Sequence, residues 1–267
     1  VESLLFSSAA KPSDEDPVFD TIMRFELKRE LLQAAREFQE LQKEMFAVKQ
    51  QQDKVNKHPK WYQQRNRNLI GGTFGAQSFA SIEVDLGEKG DEVIALAERL
   101  SKLSVNKNPL HGWMSEDCAL NGKWELQFTS GADATFPEST KREKATTSQI
   151  INATDGTLTN TIEFERGKVK GFKFVVEGEA ISGAEMNLKF KRVVIERKSK
   201  WPRLFGTITI RIPSFSFLSA YARFASRGRT SRPRATGPGL VIQYMDDDMR
   251  MHKTRDGIWF IQTRVAD

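Results

Sequence analysis

Leu120-Asn121-Gly122-Lys123-Trp124-Glu125-Leu126-Gln127-Phe128-Thr129 decides how this chain is read. Trp124, Leu126 and Phe128 alternate with Glu125, Gln127 and Thr129, the period-two pattern of a strand with one covered face. Asn121-Gly122 makes a tight turn into the strand, and the glycine leaves room for something to cross over the tryptophan. Everything after this stretch repeats its pattern, and everything before it is helical or irregular. It reads as the first strand of a closed antiparallel sheet.

Working outward toward the C-terminus, short alternating runs are divided by turns. Ser148 to Ala153 is closed by Asp155-Gly156, Thr157 to Glu165 by Arg166-Gly167, and Gly171 to Ile181 by Ser182-Gly183. Glu185 to Glu196 places Met186, Leu188 and Phe190 on one side; Leu204 to Ile212 alternates Ile208, Ile210 and Ile212 with polar residues. Leu240, Ile242 and Tyr244 begin a further strand, and Met249, Met251, Ile258 and Phe260 complete the set around Asp256-Gly257. About eight strands joined mostly by short turns predict an up-and-down barrel, the closure that removes free edges. Its expected inward set, Trp124, Phe128, Phe164, Phe172, Phe174, Met186, Phe190 and Tyr244, is heavy in aromatics and methionine. Such a lining suits either a filled, dry core or one apolar ligand with few polar anchors.

Toward the N-terminus, residues 1–19 form a loose lead-in. Asp20-Thr21 is the expected cap of a long amphipathic helix running to about Asn56, before His58-Pro59. Leu27, Leu31, Ala34, Phe38, Leu41, Met45 and Val48 lie on one face, opposite Lys28, Arg29, Arg36 and Glu40. At about 1.5 Å per residue it spans on the order of 50 Å, so its far half either folds onto its own domain or reaches a partner. Gly71-Gly72-Thr73-Phe74-Gly75 lacks the lysine of a phosphate loop and reads as a turn. Asp91 is expected to open a second helix with Val93, Ile94, Leu96, Ala97, Leu100 and Leu103 inward, ended by Asn108-Pro109. The fold class is therefore mainly β with N-terminal helices (α+β). Residues 1–117 are read as a helical arm and linker and 118–267 as the barrel.

Composition bounds the function. With 267 residues, 39% hydrophobic and 28% charged, the chain describes a globular protein with a polar surface. No run approaches the roughly 20 apolar residues of a membrane-spanning helix, so any membrane contact is expected to be peripheral. The start at Val1 is that expected of a processed product, with a targeting peptide removed. The net charge is +6, unevenly spread: Arg223, Arg227, Arg229, Arg232 and Arg234 fall in one stretch without an acid. That stretch, and the segment Trp61-Tyr62-Gln63-Gln64-Arg65-Asn66-Arg67, are the candidate contacts with a membrane or partner.

Enzymatic signals are poor. His58, His111 and His252 stand beside no nucleophile signature. Cys118, the single cysteine, reads as a buried structural thiol. Asp246-Asp247-Asp248 lacks the spacing of a calcium loop and reads as a solvated turn or an ion pair with Arg250. No catalytic centre, metal site or required cofactor is expected. Nucleic acid is not an expected partner either, since most barrel aromatics are read as pointing inward.

Gly122-Lys123-Trp124 resembles the Gly-x-Trp signature of lipocalins, in which an arginine of the last strand packs on the tryptophan; Arg250 is the candidate. A closer resemblance is to the plastid lipid-associated protein family, also called plastid fibrillins or plastoglobulins. Leu120 to Leu126 is similar to its opening motif, and Tyr244-Met245-Asp246-Asp247-Asp248-Met249-Arg250-Met251 to its closing one, with methionine at two aliphatic positions. Gln149 to Phe164 and Leu27 to Leu32 add shorter likenesses. The resemblance implies a lipocalin-like barrel at thylakoids or plastoglobules that binds lipid, prenylquinone or carotenoid. Trp124, Leu126, Phe128, Phe164, Phe174, Met186, Phe190, Tyr244 and Arg250 are the ligand-binding candidates. Relative to that pattern, residues 36–87 read as an insertion. A barrel with so long an arm has an alternative role, as a linker subunit docked on a photosynthetic membrane complex.

Overall fold

The computed structural model describes residues 17–56, 76–131, 145–165, 169–198, 206–211 and 238–266. Helices α1 (Pro17–Asn56) and α2 (Ala76–Lys102) precede strands β1 (Gly122–Thr129), β2 (Ala145–Asn152), β3 (Thr157–Phe164), β4 (Val169–Ala180) and β5 (Glu185–Arg197). Strands β6 (Thr207–Arg211), β7 (Gly239–Met245), β8 (Met249–Thr254) and β9 (Trp259–Arg264) follow. All nine belong to one sheet, and the β4–β5 pairing closes it through β1-β2-β3-β4-β5-β7-β8-β9 and back to β1, every pairing antiparallel. This is a lipocalin-like α+β fold. Strand β6 stands outside the ring. It pairs with the upper part of β5, Arg192–Glu196, while the lower part, Glu185–Asn187, carries β7.

The seam between β5 and β7 is short, and side chains reinforce it. Arg255 donates to Glu185 (2.9 Å) and to Asn187 (2.7 Å) across the join. Gly239 is needed there because a Cβ would meet the Arg255 guanidinium at 2.8 Å and the Met186 carbonyl at 3.0 Å.

Both helices differ at their starts from the sequence expectation. Helix α1 begins at Pro17, a residue suited to the first helical position, which leaves Asp20 inside the first turn, where its charge complements the helix dipole. Helix α2 begins at Ala76 rather than at Asp91, running through Gly87 and Gly90. Two glycines argue against helix by propensity alone, but Gly90 lies 3.4 Å from the Phe38 ring at its virtual Cβ, and Lys89 pairs with Glu37 of α1 (2.7 Å). Packing overrides propensity here.

The sheet has two buried faces. Leu27, Leu31, Ala34 and Ala35 of α1 and Val93, Leu96, Ala97 and Leu100 of α2 cover the outer face of β1, β7, β8 and β9. The apolar positions of α1 from Leu27 to Phe38 are thus spent inside the chain, Leu41 and Met45 are half-buried, and Phe19, Ile22 and Phe25 near its start are exposed. Leu110, Cys118 and Leu120, in the connection before β1, close the lower end of the barrel against Trp124, Ile151, Leu158, Val176 and Met186. Burial pushes the Cys118 thiol pKa up, with a backbone hydrogen bond from Leu120 opposing it. It sits in this core as a structural residue.

Candidate ligand-binding site in the barrel

Register decides which side chains share the interior. Ile151, Gln149 and Thr147 of β2 face Leu158, Asn160 and Ile162 of β3, which face Val176, Phe174 and Phe172 of β4. Across the next pairing stand Phe190, Val193 and Ile195 of β5. The opposite face of β4 and β5 carries ion pairs beside Val175 and Val194: Lys173 with Glu196 (2.6 Å) and Lys191 with Glu177 (2.5 Å). Inside, Phe172, Phe174, Phe190, Val193 and Ile195 form an apolar wall that is only half-buried. Ile208 and Ile210 of β6 extend it and are exposed.

Two bulges correct the expected inward set. The register shifts between Leu126 and Phe128 on β1, and between Ile242 and Tyr244 on β7. Each extra residue turns the next side chain to the other face. Phe128 and Tyr244 therefore lie on the outer side, in the core beneath the helices, and Phe128 meets Phe38 edge-on at 4.9 Å. Gln39 of α1 donates to the Gln127 carbonyl at the first bulge (2.6 Å), so the helix pair locks the irregularity in place. Met249 and Met251 of β8 also face the helices, which turns Arg250 and His252 inward.

The other ligand candidates are on the inner side but at different heights. Trp124 and Met186 are packed in the lower core. Leu126, Phe174 and Phe190 are half-buried, and Phe164 is buried at the upper rim with Phe172 edge-on at 5.8 Å. Trp61, Tyr62, Arg65 and Arg67 lie outside the described residues, as do Arg223, Arg227, Arg229, Arg232 and Arg234.

Between the lower core and the wall runs a polar belt. Arg250, 1% exposed, donates from Nη2 to the side-chain oxygens of Gln149 (2.5 Å) and Gln262. Gln149 in turn donates to Asn160 (2.6 Å), the register partner of Phe174. Arg250 lies 5.0 Å from the Trp124 ring centre, and Arg264, on the last strand, lies 4.2 Å from it. The last-strand arginine on the tryptophan is therefore Arg264, which sequence reasoning missed. It occupies the room left at Gly122 (φ +121°), where a Cβ would lie 2.8 Å from its Nη1. Its guanidinium bonds to the carbonyls of Asn121 (2.5 Å), Ala119 (2.6 Å) and Asp247 (2.6 Å), tying the barrel floor together.

The electrostatics of the belt are unusual. Among the described residues no carboxylate pairs with Arg250; burial first, and the charge of Arg264 second, draw its pKa down to about 9. A buried cation without a counter-ion costs several kcal/mol. Ring contact returns about 0.5–2 kcal/mol and each amide hydrogen bond about 1.5–3 kcal/mol. His252 stacks on Phe260 (4.9 Å, 4°), and burial, followed by the Arg250 charge, holds its pKa well below 6.5, so the imidazole is neutral. Arg250 Nε and His252 Nδ1 are buried without a hydrogen-bond partner.

The acidic turn proves structural. Asp246 pairs with Lys28 of α1 (2.8 Å), rather than with Arg250, and accepts from Tyr244 Oη and from the backbone of Met249 (2.8 Å). Burial works against its charge, but bonding to Asp248, Lys28 and Tyr244 outweighs burial and holds its pKa at about 2. Among the described residues, no three His, Cys, Asp or Glu side chains come together as a metal site, and no helix is long and apolar enough to cross a membrane. A separate groove of about 800 Å³ lies low on the barrel flank, lined by Trp113, Met114, Glu177, Glu179 and Lys189 among others. Its mixed charge suits an apolar ligand less well than the wall.

The model of the PAP_fibrillin family matches residues 80–263, from inside α2 to the end of the ring. The chain belongs to this family of plastid lipid-associated proteins. No curated protein and no solved structure matched it. The match spans most of α2, the closing connection and the nine strands, so the barrel and its polar belt lie inside the matched region, whereas α1 precedes it.

Proposed function

We propose that this fibrillin is a non-enzymatic lipid-binding protein that holds a hydrophobic plastid lipid or prenylquinone in the upper barrel, at thylakoid membranes or plastoglobules. The observation that carries the reading is the half-buried apolar wall of β4 and β5, with its charged opposite face turned outward in ion pairs. Apolar surface left open on the inside of a barrel is surface that a ligand can cover, at about 25 cal/mol per Å². Phe164, Phe174 and Phe190 would line the tail, and Leu126 would meet it from β1. No observation favours the docked-subunit alternative. The apolar residues of α1 from Leu27 to Phe38 pack within the chain, Phe19, Ile22 and Phe25 near its start are exposed, and the aromatic-basic and arginine-rich segments lie outside the described residues.

The test is uptake. The purified chain is incubated with a total plastid lipid extract, re-isolated, and its bound lipids identified by mass spectrometry. Prenylquinone, carotenoid or acyl lipid is expected at close to one per chain, and Phe174→Glu should abolish it without unfolding the protein. A chain that returns free of lipid would sink the proposal.

A further inference from the structure

The polar belt is not explained by packing. A dry, filled barrel is best served by apolar side chains at this height, and a structural arginine is normally given a carboxylate. Here the charge is offered two neutral amide oxygens and an aromatic face, and its Nε–H is buried without a hydrogen-bond partner. The belt also adjoins the apolar wall. Gln149 leads through Asn160 to Phe174, and Gln262 is the register partner of half-buried Leu126. A guanidinium lies at the foot of a greasy surface, with a donor to spare.

We infer that Arg250 is a head-group anchor: it receives the carboxylate of a long-chain amphiphile whose tail lies along the wall of Phe174 and Phe190. This rests on the lipid-binding reading above and names the class of ligand. The Nε–H and Nη2–H₂ edge of an arginine matches two coplanar carboxylate oxygens. Nη2 is held at present by neutral acceptors, which a charged acceptor displaces, and Nε is vacant. A quinone or ester carbonyl reaches the same donor but leaves the charge uncompensated. The wall is built for a single extended chain: Phe174, Val193 and the rest follow along two adjacent strands rather than around a broad bowl.

The experiment compares oleate, methyl oleate and a short-chain plastoquinone for binding to the full chain at pH 7.5, by equilibrium dialysis below their aggregation limits. Oleate is expected to bind at least about tenfold more tightly than its methyl ester, the margin of one charge-assisted pair. Arg250→Gln should bring the two within about threefold of each other. Gln262→Glu is the second variant, for the case in which Arg250→Gln does not fold. It places a permanent counter-ion on Nη2, so it should fold at least as well and still lose the preference for oleate. Equal binding of oleate and its ester, tighter binding of the quinone, or a preference that survives Gln262→Glu would overturn the anchor and leave the lipid barrel standing. Failure of all three ligands to bind would overturn both.

Discussion

The two ends of the barrel differ in how completely they are covered. At the lower end Trp124, Leu120, Leu158 and Met186 are each no more than 2% exposed, the connection before β1 seals them, and Arg264 ties the floor to three carbonyls. At the upper end, by contrast, Phe172, Phe174, Phe190 and Ile195 are only half-buried and Ile208 and Ile210 are exposed. Three phenylalanines thus sit where they are only partly used for stability. Such a division separates a part that holds the fold from a part that stays available to a ligand.

Substitutions at the two ends should separate the same way. The largest effect is expected from Trp124→Ala, which removes a fully buried ring and the surface on which Arg250 and Arg264 rest. A loss of about 3–5 kcal/mol in urea unfolding is expected. A loss below 1 kcal/mol would mean that the lower end is not the stabilising one. Asp246→Asn comes next, since it removes the more buried of the two carboxylates on Lys28 and leaves only exposed Asp248; about 2 kcal/mol is expected. The folded-state pKa of Asp246 is depressed, so its contribution is present above the ordinary 3.8 and is lost as pH falls toward about 2. The difference between wild type and Asp246→Asn should therefore shrink over that window. His252 acts in the same direction at higher pH. Its folded pKa is depressed below 6.5, so stability should decline as pH falls from there, and His252→Phe should flatten that slope. The smallest effect on stability, under about 1 kcal/mol, is expected from Phe174→Ser, which should nevertheless lower lipid uptake. An unfolding curve shifted as far as that of Trp124→Ala would erase the distinction between the ends.

Much of the barrel was legible from alternation. Each expected strand from Gly122 onward exists, and Gly122 was rightly read as room for a crossing group. What alternation could not show was a change of parity within a strand. Phe128 and Tyr244 each follow a bulge, and nothing local in Leu126-Gln127-Phe128 or Ile242-Gln243-Tyr244 distinguishes a bulged strand from a regular one. The inward polar belt as a whole was hidden for a related reason. Arg250 was named on the likeness of its motif alone and His252 was given no place, because alternation beside Met249 and Met251 does not show that both faces of β8 are buried. A run of four alternating residues with no plainly solvated parity was the available signal. Arg264 carried one too, since it shares parity with Gln262 on the final strand.

By itself, then, the sequence determined the strands and their order, because period, turn residues and chain direction are local properties; that the ring closes from β5 to β7 with β6 outside was decided by long-range pairing. Which face each large side chain serves was decided only in three dimensions. Helices α1 and α2, distant in sequence, supply a second hydrophobic surface, and a strand buried on both sides turns its residues by register and bulge rather than by polarity. That is why a guanidinium ends up inside this barrel and two aromatic rings end up outside it.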